Sequence, residues 1–222
     1  MKAALVYTST TPELIELVEK EVKENLGEGV ELLSYQDPSI LAETREHGYV
    51  TAKAAARLFG LFLQAVQDDA EAILNICSSV GEAADSVQEM ARYLGVPIVR
   101  IDEEMCRAAV RSGKRIGVLA TLPTTLNPTK NTILRVAREM GKQVELVDGL
   151  VEVFGAGQEE FKKCLIAKAQ EVAKDVDVIL LCQGSMAFCE KDIEEATGKY
   201  TVSSPAFGAK ALKAALESKG SL

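Results

Sequence analysis

Two short apolar segments, about half a chain apart, each end on a cysteine that small polar residues follow. The first, Ile73–Ile76, ends at Cys77, and the second, Val178–Leu181, ends at Cys182. Solid runs of Val, Ile and Leu of this length are typical of parallel strands that are buried on both faces. The chain of 222 residues is therefore predicted to contain two similar halves, each with a thiol at the carboxyl end of a strand, where open α/β sheets place their binding crevices.

Strand-like and helix-like segments alternate along the whole chain, which indicates an α/β fold with parallel sheets flanked by helices. The repeated strand–cysteine segment predicts two sheets rather than one. We expect residues 1–101 together with 205–222 to form a first α/β lobe, because the last helix can return to it. Residues 102–204 are expected to form the second lobe.

Composition excludes several classes of function. Twenty-five Lys and Arg against 33 Asp and Glu leave a net charge of −8, which disfavours nucleic acid and anionic membranes as partners. No apolar run reaches the ~20 residues that span a bilayer, and the N-terminus lacks a signal-peptide pattern, so a cytoplasmic location is expected. Five cysteines fit reduced thiols, and His47 is the sole histidine, which argues against zinc. No phosphate-binding glycine motif supports a nucleotide cofactor.

Cys77 and Cys182 are the candidate catalytic residues. A single free cysteine is most often a small buried hydrophobe, but the matched placement of these two favours a function. The first turn of a following helix is expected to lower the pKa of each thiol. Cys106, Cys164 and Cys189 lie within helical patterns and are interpreted as core or surface residues.

A threonine-rich turn within Leu119–Thr129 leaves a strand and enters a helix. Its clustered hydroxyls are Thr121, Thr124 and Thr125. Hydroxyls and free backbone N–H groups at a helix N-terminus bind carboxylate or phosphate. Asn127, before Pro128, is expected to cap the helix, but capping does not explain the three threonines, so the turn is predicted to bind an anion.

Other polar residues follow the remaining strand ends. Thr8 and Ser9 come directly after the first strand, where they are candidate substrate ligands, with helix capping as the alternative for the threonines beyond them. Small residues flank the two thiols, and their backbone N–H groups are candidates to stabilise a carboxylate or an oxyanion. These residues are Ser78, Ser79, Gln183, Gly184 and Ser185.

These segments together resemble the aspartate/glutamate/hydantoin racemase superfamily over nearly the whole chain. The resemblance rests on the Cys77 segment, on Ile116–Thr121 with the following Pro-Thr-Thr, and on Leu181–Ala187. It implies two pseudo-symmetric lobes, each with a flavodoxin-like parallel sheet, and an active site in the cleft between them. It also implies a racemase that needs no metal or organic cofactor, in which one of Cys77 and Cys182 takes the α-proton and the other returns one.

The resemblance further implies a small carboxylate-bearing substrate, held by the threonines of the turn, and a homodimer or higher homo-oligomer. This chain departs from the glutamate racemase pattern, because Ser78 and Ser79 follow the first thiol, and Gln183 and Gly184 follow the second. Hydantoin-type and hydroxy-acid substrates therefore stay open beside amino acids. Cis–trans isomerisation or decarboxylation of a dicarboxylic acid, and non-catalytic carboxylate binding, are the alternative functions.

Overall fold

The computed structural model describes residues 1–153 and 157–220. The chain divides into two compact units, one made of Met1–Ile101 and Pro205–Leu222 and the other of Asp102–Ser204. Each unit contains a four-stranded parallel sheet with helices packed against it, which confirms the predicted two-lobed α/β fold with parallel sheets.

The first unit opens with a strand and continues in strand–helix alternation. Its elements are β1 (Lys2–Tyr7), α1 (Pro12–Leu26), β2 (Glu31–Gln36), α2 (Pro38–His47), α3 (Ala52–Gln67), β3 (Ala72–Ile76), a 3-10 turn (Ser78–Val80), α4 (Gly81–Ser86), α5 (Gln88–Leu94) and β4 (Ile98–Arg100). A proline starts α1 behind the N-cap Thr11, whose hydroxyl accepts a hydrogen bond from the N–H of Leu14. Gly48, with φ 78°, ends α2, because glycine adopts this left-handed conformation without strain.

The second unit repeats the same alternation, and a last helix follows it. The elements are α6 (Glu103–Ser112), β5 (Arg115–Ala120), α7 (Pro123–Glu139), β6 (Glu145–Leu150), α8 (Gln158–Val172), β7 (Val178–Leu181), a 3-10 helix (Gly184–Cys189), α9 (Glu190–Thr197), β8 (Tyr200–Ser203) and α10 (Ser204–Lys219). Ala209, Leu212 and Leu216 of α10 join the core of the first unit.

The two sheets have the same topology. The first has the strand order β2-β1-β3-β4 and the second the order β6-β5-β7-β8, with every strand pair parallel. In both sheets the strand that precedes a thiol therefore lies beside the first strand of its unit. Tyr7 pairs with Ile76 in the first sheet, and Leu119 pairs with Leu181 in the second.

Strand burial agrees with the sequence pattern. All residues of β3 and β7 are buried, as expected for parallel strands covered on both faces. In the first unit, one layer of core side chains packs under α1 and α10, and another packs under α3 and the segments after β3. The described part of the chain contains no helix that is both long and apolar enough to cross a membrane.

Candidate active site

Cys77 lies where β3 gives way to a 3-10 turn. Its backbone is extended, with φ −161° and ψ 111°, so the chain leaves the sheet edge before turning into α4. The side-chain amide of Asn75 donates a hydrogen bond of 3.2 Å to the carbonyl oxygen of Cys77. Asn75 is buried in β3, and we had not selected it from the sequence, although a single polar residue within an apolar strand is a recognisable signal. Cys77 itself is half-buried.

Thr8 lies next to Cys77 at the carboxyl edge of the first sheet. Tyr7 pairs with Ile76, so Thr8 and Cys77 are the next residues along the two neighbouring strands. Thr8 is fully buried, and its Oγ1 has no hydrogen-bond partner among the described residues. A buried hydroxyl of this kind is costly unless a ligand or water satisfies it. Ser9, one residue further, is exposed.

A buried arginine lies behind the turn that follows Cys77. Arg100 of β4 is 3% exposed and its guanidinium forms an ion pair of 2.6 Å with Asp85. A Cβ atom at Gly81, the first residue of α4, would lie 2.5 Å from Cζ and 2.7 Å from Nε of Arg100. The glycine is therefore required for the close approach of the guanidinium. Sequence reasoning missed this pair, although an arginine within the apolar run before Ile101 was visible.

Cys182 is the more enclosed of the two thiols, because none of its surface is exposed. This burial raises the pKa of the Cys182 thiol well above its ordinary value, the neighbouring Thr129 hydroxyl acts in the opposite direction, and the carboxylates of Asp102 and Asp148 raise the pKa further. The expectation that a helix N-terminus lowers the pKa of Cys182 is thus wrong. Desolvation of the thiolate outweighs the favourable dipoles.

The element after the second thiol is not the regular α-helix that the sequence predicts. In place of the helix expected directly after Cys182, a 3-10 helix occupies Gly184–Cys189, and α9 begins only at Glu190. Gln183 and Gly184 are partly buried, and Ser185 is exposed. A single short 3-10 segment aligns fewer peptide dipoles than a regular α-helix does.

Thr129 lies on α7 beside the second thiol. It is fully buried, and its Oγ1 has no partner of standard hydrogen-bond geometry among the described residues. It therefore offers Cys182 a nearby hydroxyl dipole that is free to adjust as the thiol changes its protonation state. Sequence reasoning did not select Thr129, which ends the threonine-rich run.

The threonine turn starts a helix earlier than predicted. Helix α7 begins at Pro123, and Asn127 lies inside it, so the expectation that Asn127 caps the helix is wrong. Proline at a first helical position is favourable because its missing N–H would be unpaired there. The N-cap residue is Leu122, and no side chain caps this terminus, which leaves the first turn suited to an anion.

The three threonines of the turn differ in their surroundings. Thr121 directly follows β5, and Thr124 and Thr125 lie in the first turn of α7. The Oγ1 atom of Thr124 is buried without a partner among the described residues. Thr121 forms two hydrogen bonds with the side chain of Gln183, at 2.8 Å from its backbone nitrogen and 2.6 Å from its hydroxyl.

The candidate residues thus form one group in each unit. The first group contains Thr8 and Cys77 with the buried serines of the following turn, Ser78 and Ser79. The second contains Thr121, Thr124, Gln183 and Cys182, which lie on the carboxyl ends of β5 and β7 and on the start of α7. Within the described residues, no cluster of three or more His, Cys, Asp or Glu side chains is arranged to hold a metal ion.

The Asp/Glu/Hydantoin racemase family model matches residues 4–212 of the chain. The chain therefore belongs to this family, and its enzyme class is that of the racemases, which are isomerases. A search of curated protein sequences gives no match.

Solved racemase structures share the fold. An allantoin racemase from Klebsiella pneumoniae superimposes with a TM-score of 0.71 at 17% identity, covering 99% of this chain and 89% of that one. A glutamate racemase from Bacillus anthracis superimposes with a TM-score of 0.70 at 18% identity, covering 98% of this chain and 82% of that one. The aspartate racemase of Picrophilus torridus superimposes with a TM-score of 0.66 at 13% identity, covering 99% of this chain and 94% of that one. At these identities the likeness establishes the fold and leaves the substrate open.

Proposed function

We propose that this protein is a cofactor-independent racemase or epimerase of a small carboxylate-bearing substrate, acting through Cys77 and Cys182. The observation that carries the proposal is the equivalence of the two thiols. Each follows the strand in the same position of two sheets with the same strand order. A reaction that removes a proton from one face of a carbon and returns one to the other face needs two such groups.

The starting roles are assigned from the burial of Cys182. This burial raises the pKa of the Cys182 thiol, so Cys182 is taken as the neutral thiol that donates a proton. Cys77 is then the base in the same direction of the reaction. Its thiolate takes the α-proton and becomes a thiol, and the carbanion takes the proton of Cys182, which becomes a thiolate. One proton leaves the substrate and one is returned to it, so the number of protons on the protein is unchanged. The reverse reaction exchanges the two roles, and proton exchange with solvent restores the starting state of the two thiols.

Hydroxyl groups at the strand ends of each unit are proposed to bind the substrate, and those of the threonine turn to hold its carboxylate. Thr8 and Thr124 each carry a buried hydroxyl oxygen without a partner among the described residues, and Thr121 lies beside the uncapped start of α7. Preorganised donors of this kind stabilise the negative charge that develops when the α-proton leaves. The serines beside Cys77 and residues 184 and 185 beside Cys182 add backbone N–H groups.

The substrate is proposed to be an amino acid, a hydantoin or a related acid. The structurally similar racemases are named for allantoin, glutamate and aspartate, so the shared fold accommodates both ring and open-chain substrates. Gln183 and Gly184 differ from the threonine followed by an acid or histidine that is typical of glutamate racemases. The ammonium contacts of an amino acid therefore have no assigned residue here.

Proton exchange in D₂O tests the proposal. The purified protein is incubated with both enantiomers of aspartate, glutamate, lactate and allantoin, and loss of the α-proton signal is followed by NMR. Exchange with at least one compound is expected, and C77A and C182A should each abolish racemisation. C164A, which removes a half-buried cysteine of α8, is the matched control and should leave the rate unchanged. Racemisation that survives in either C77A or C182A would contradict the proposal.

Non-catalytic carboxylate binding is the second candidate. The raised pKa of Cys182 suits a proton donor but opposes the reverse direction of racemisation, in which Cys182 must act as a thiolate base. A binding protein would bind carboxylates through the threonine turn without any exchange of α-protons. Binding that persists in C77A and C182A, with no exchange in the wild-type protein, would establish this second function.

A further inference from the structure

Gln183 follows Cys182 and connects the ends of two neighbouring strands. The backbone N–H of Thr121 donates a hydrogen bond of 2.8 Å to Oε1 of Gln183. The Nε2 group of Gln183 donates a second hydrogen bond of 2.6 Å to Oγ1 of Thr121. Thr121 is 3% exposed, so both bonds are largely protected from water. The side-chain amide of Gln183 therefore binds one residue twice.

The direction of these two hydrogen bonds is fixed by chemistry. A backbone N–H can only donate, so the atom of Gln183 that faces it must be the carbonyl oxygen, Oε1. The amide nitrogen then faces the hydroxyl of Thr121. Because an amide nitrogen donates and does not accept, Oγ1 of Thr121 must be the acceptor. The hydroxyl proton of Thr121 is not used in this pair and can be donated to another acceptor.

The surroundings indicate which acceptor that is. Thr121 follows β5 directly, and α7 starts two residues later with no side-chain cap. The partial positive charge at a helix N-terminus favours an anion. The buried Oγ1 of Thr124, in the first turn of α7, has no partner among the described residues. A carboxylate oxygen at this position would accept from Thr121 and meet the favourable end of the helix.

We propose that Gln183 is a positioning residue that holds the hydroxyl of Thr121 as a hydrogen-bond donor to a substrate carboxylate. The inference rests on the proposed function, since it deepens the assignment of the carboxylate site. It gives a reason for an amide at residue 183. A glutamate there would accept from both the N–H and the O–H of Thr121, because a carboxylate has no donor. The hydroxyl of Thr121 would then no longer be available as a hydrogen-bond donor to the substrate.

The test measures carboxylate binding by chemical-shift perturbation of ¹H–¹⁵N spectra. The probes are acetate, malonate, succinate, aspartate and glutamate. The wild-type protein should show a saturable shift of the Thr121 amide with at least one of these compounds. In Q183E the affinity of that probe should fall about tenfold or more, because a hydrogen bond to a charged group is replaced by repulsion. Q183M should lose less affinity, because the Thr121 hydroxyl is then no longer held in one orientation but can still donate to the probe.

A matched control separates positioning from folding. Gln88 is also half-buried and its side-chain amide also makes two hydrogen bonds, both donated by Nε2, to the carbonyls of Ala84 and Ile98 in the first unit. Q88M should leave probe affinity unchanged. Dispersed spectra with the wild-type pattern outside the strand ends would show that Q183E and Q183M are folded. In Q183M the amide proton of Thr121 should also exchange faster with solvent, because its acceptor on Gln183 is removed. If Gln183 contacted only the ligand, this exchange rate would not change.

A double-mutant cycle shows whether Gln183 acts through Thr121. T121V removes the hydroxyl, and in that background Q183M should have little further effect on probe affinity, whereas T121S should restore most of it. Equal losses from Q183M with and without T121V would overturn the inference, because Gln183 would then act on the ligand directly. So would the absence of any shift at Thr121 with all five probes. Probe binding that obeys the cycle, without α-proton exchange, would support Gln183 while refuting the proposed racemisation.

Discussion

Gly81→Ala is predicted to destabilise the protein, although it places a better helix former in a helix. Gly81 has ordinary helical dihedral angles, φ −59° and ψ −39°, so the backbone accepts alanine without strain. The added methyl group, however, would meet the guanidinium of Arg100, at 2.5 Å from Cζ. Arg100 cannot swing away freely, because its side chain is 2% exposed and is paired with Asp85 at 2.6 Å.

The magnitude follows from three contributions. Replacing a helical glycine by alanine stabilises by about 1 kcal/mol. Overpacking a filled site costs about 1–3 kcal/mol, and displacing Arg100 weakens a hydrogen bond between charged groups that is worth about 1.5–3 kcal/mol. The net expectation is a loss of about 1.5–5 kcal/mol, which lowers the melting temperature of a chain of this size by at least about 3 °C.

Gly60 provides the matched control. It lies within α3, and a Cβ atom there would meet nothing within 4 Å. G60A should therefore raise the melting temperature by about 2–4 °C, the effect of about 1 kcal/mol. Thermal unfolding followed by circular dichroism measures both variants. A G81A protein as stable as G60A would refute the proposed close packing, and G81A should cost less in an R100M background, where the clash is absent.

Three further predictions concern the second unit. T129V should slow the labelling of Cys182 by a small thiosulfonate at fixed pH, because the Thr129 hydroxyl lowers the pKa of that thiol. T132V, on the same helix, should leave the labelling rate unchanged. Equal rates in the wild-type protein, T129V and T132V would contradict the effect of Thr129 on Cys182. Asp177 accepts hydrogen bonds from two backbone N–H groups, which hold its pKa below the ordinary value; its stabilisation is therefore complete above the ordinary aspartate pKa and is lost as the pH falls through the lowered one. In D177N the free energy of unfolding should fall less steeply at acid pH than in the wild-type protein. The same pH dependence in both proteins would disprove the stabilisation by Asp177. L165A removes a fully buried side chain of α8 and should cost about 2–5 kcal/mol in urea unfolding; a loss below about 1 kcal/mol would show that the site collapses.

Much of the fold was predictable because the strands that precede the two thiols, β3 and β7, are buried along their whole length. Continuous apolar runs such as Ile73–Ile76 and Val178–Leu181 are typical of buried parallel strands where helical segments alternate with them, and both lie within strands of the structure. Gly48, which ends α2 with a positive φ, is likewise a helix terminator that a local sequence pattern can indicate. These features depend on local pattern, which the sequence carries directly.

The site was less predictable because its properties depend on contacts between distant residues. The raised pKa of Cys182 reflects burial and the carboxylates of Asp102 and Asp148, none of which a local motif reveals. The hydrogen bonds between Gln183 and Thr121 join residues on separate strands. The true start of α7 at Pro123 was obscured by Asn127, a good capping residue that lies inside the helix.

Single-cysteine variants in D₂O test whether the two thiols act together. For the compound that exchanges with the wild-type protein, each enantiomer is incubated separately with C77S and with C182S, and both deuterium content and optical rotation are recorded. Neither variant should interconvert the enantiomers, and any remaining exchange should be confined to one enantiomer in each variant. Full racemisation by C182S, with deuterium at the α-carbon of both enantiomers, would contradict the account.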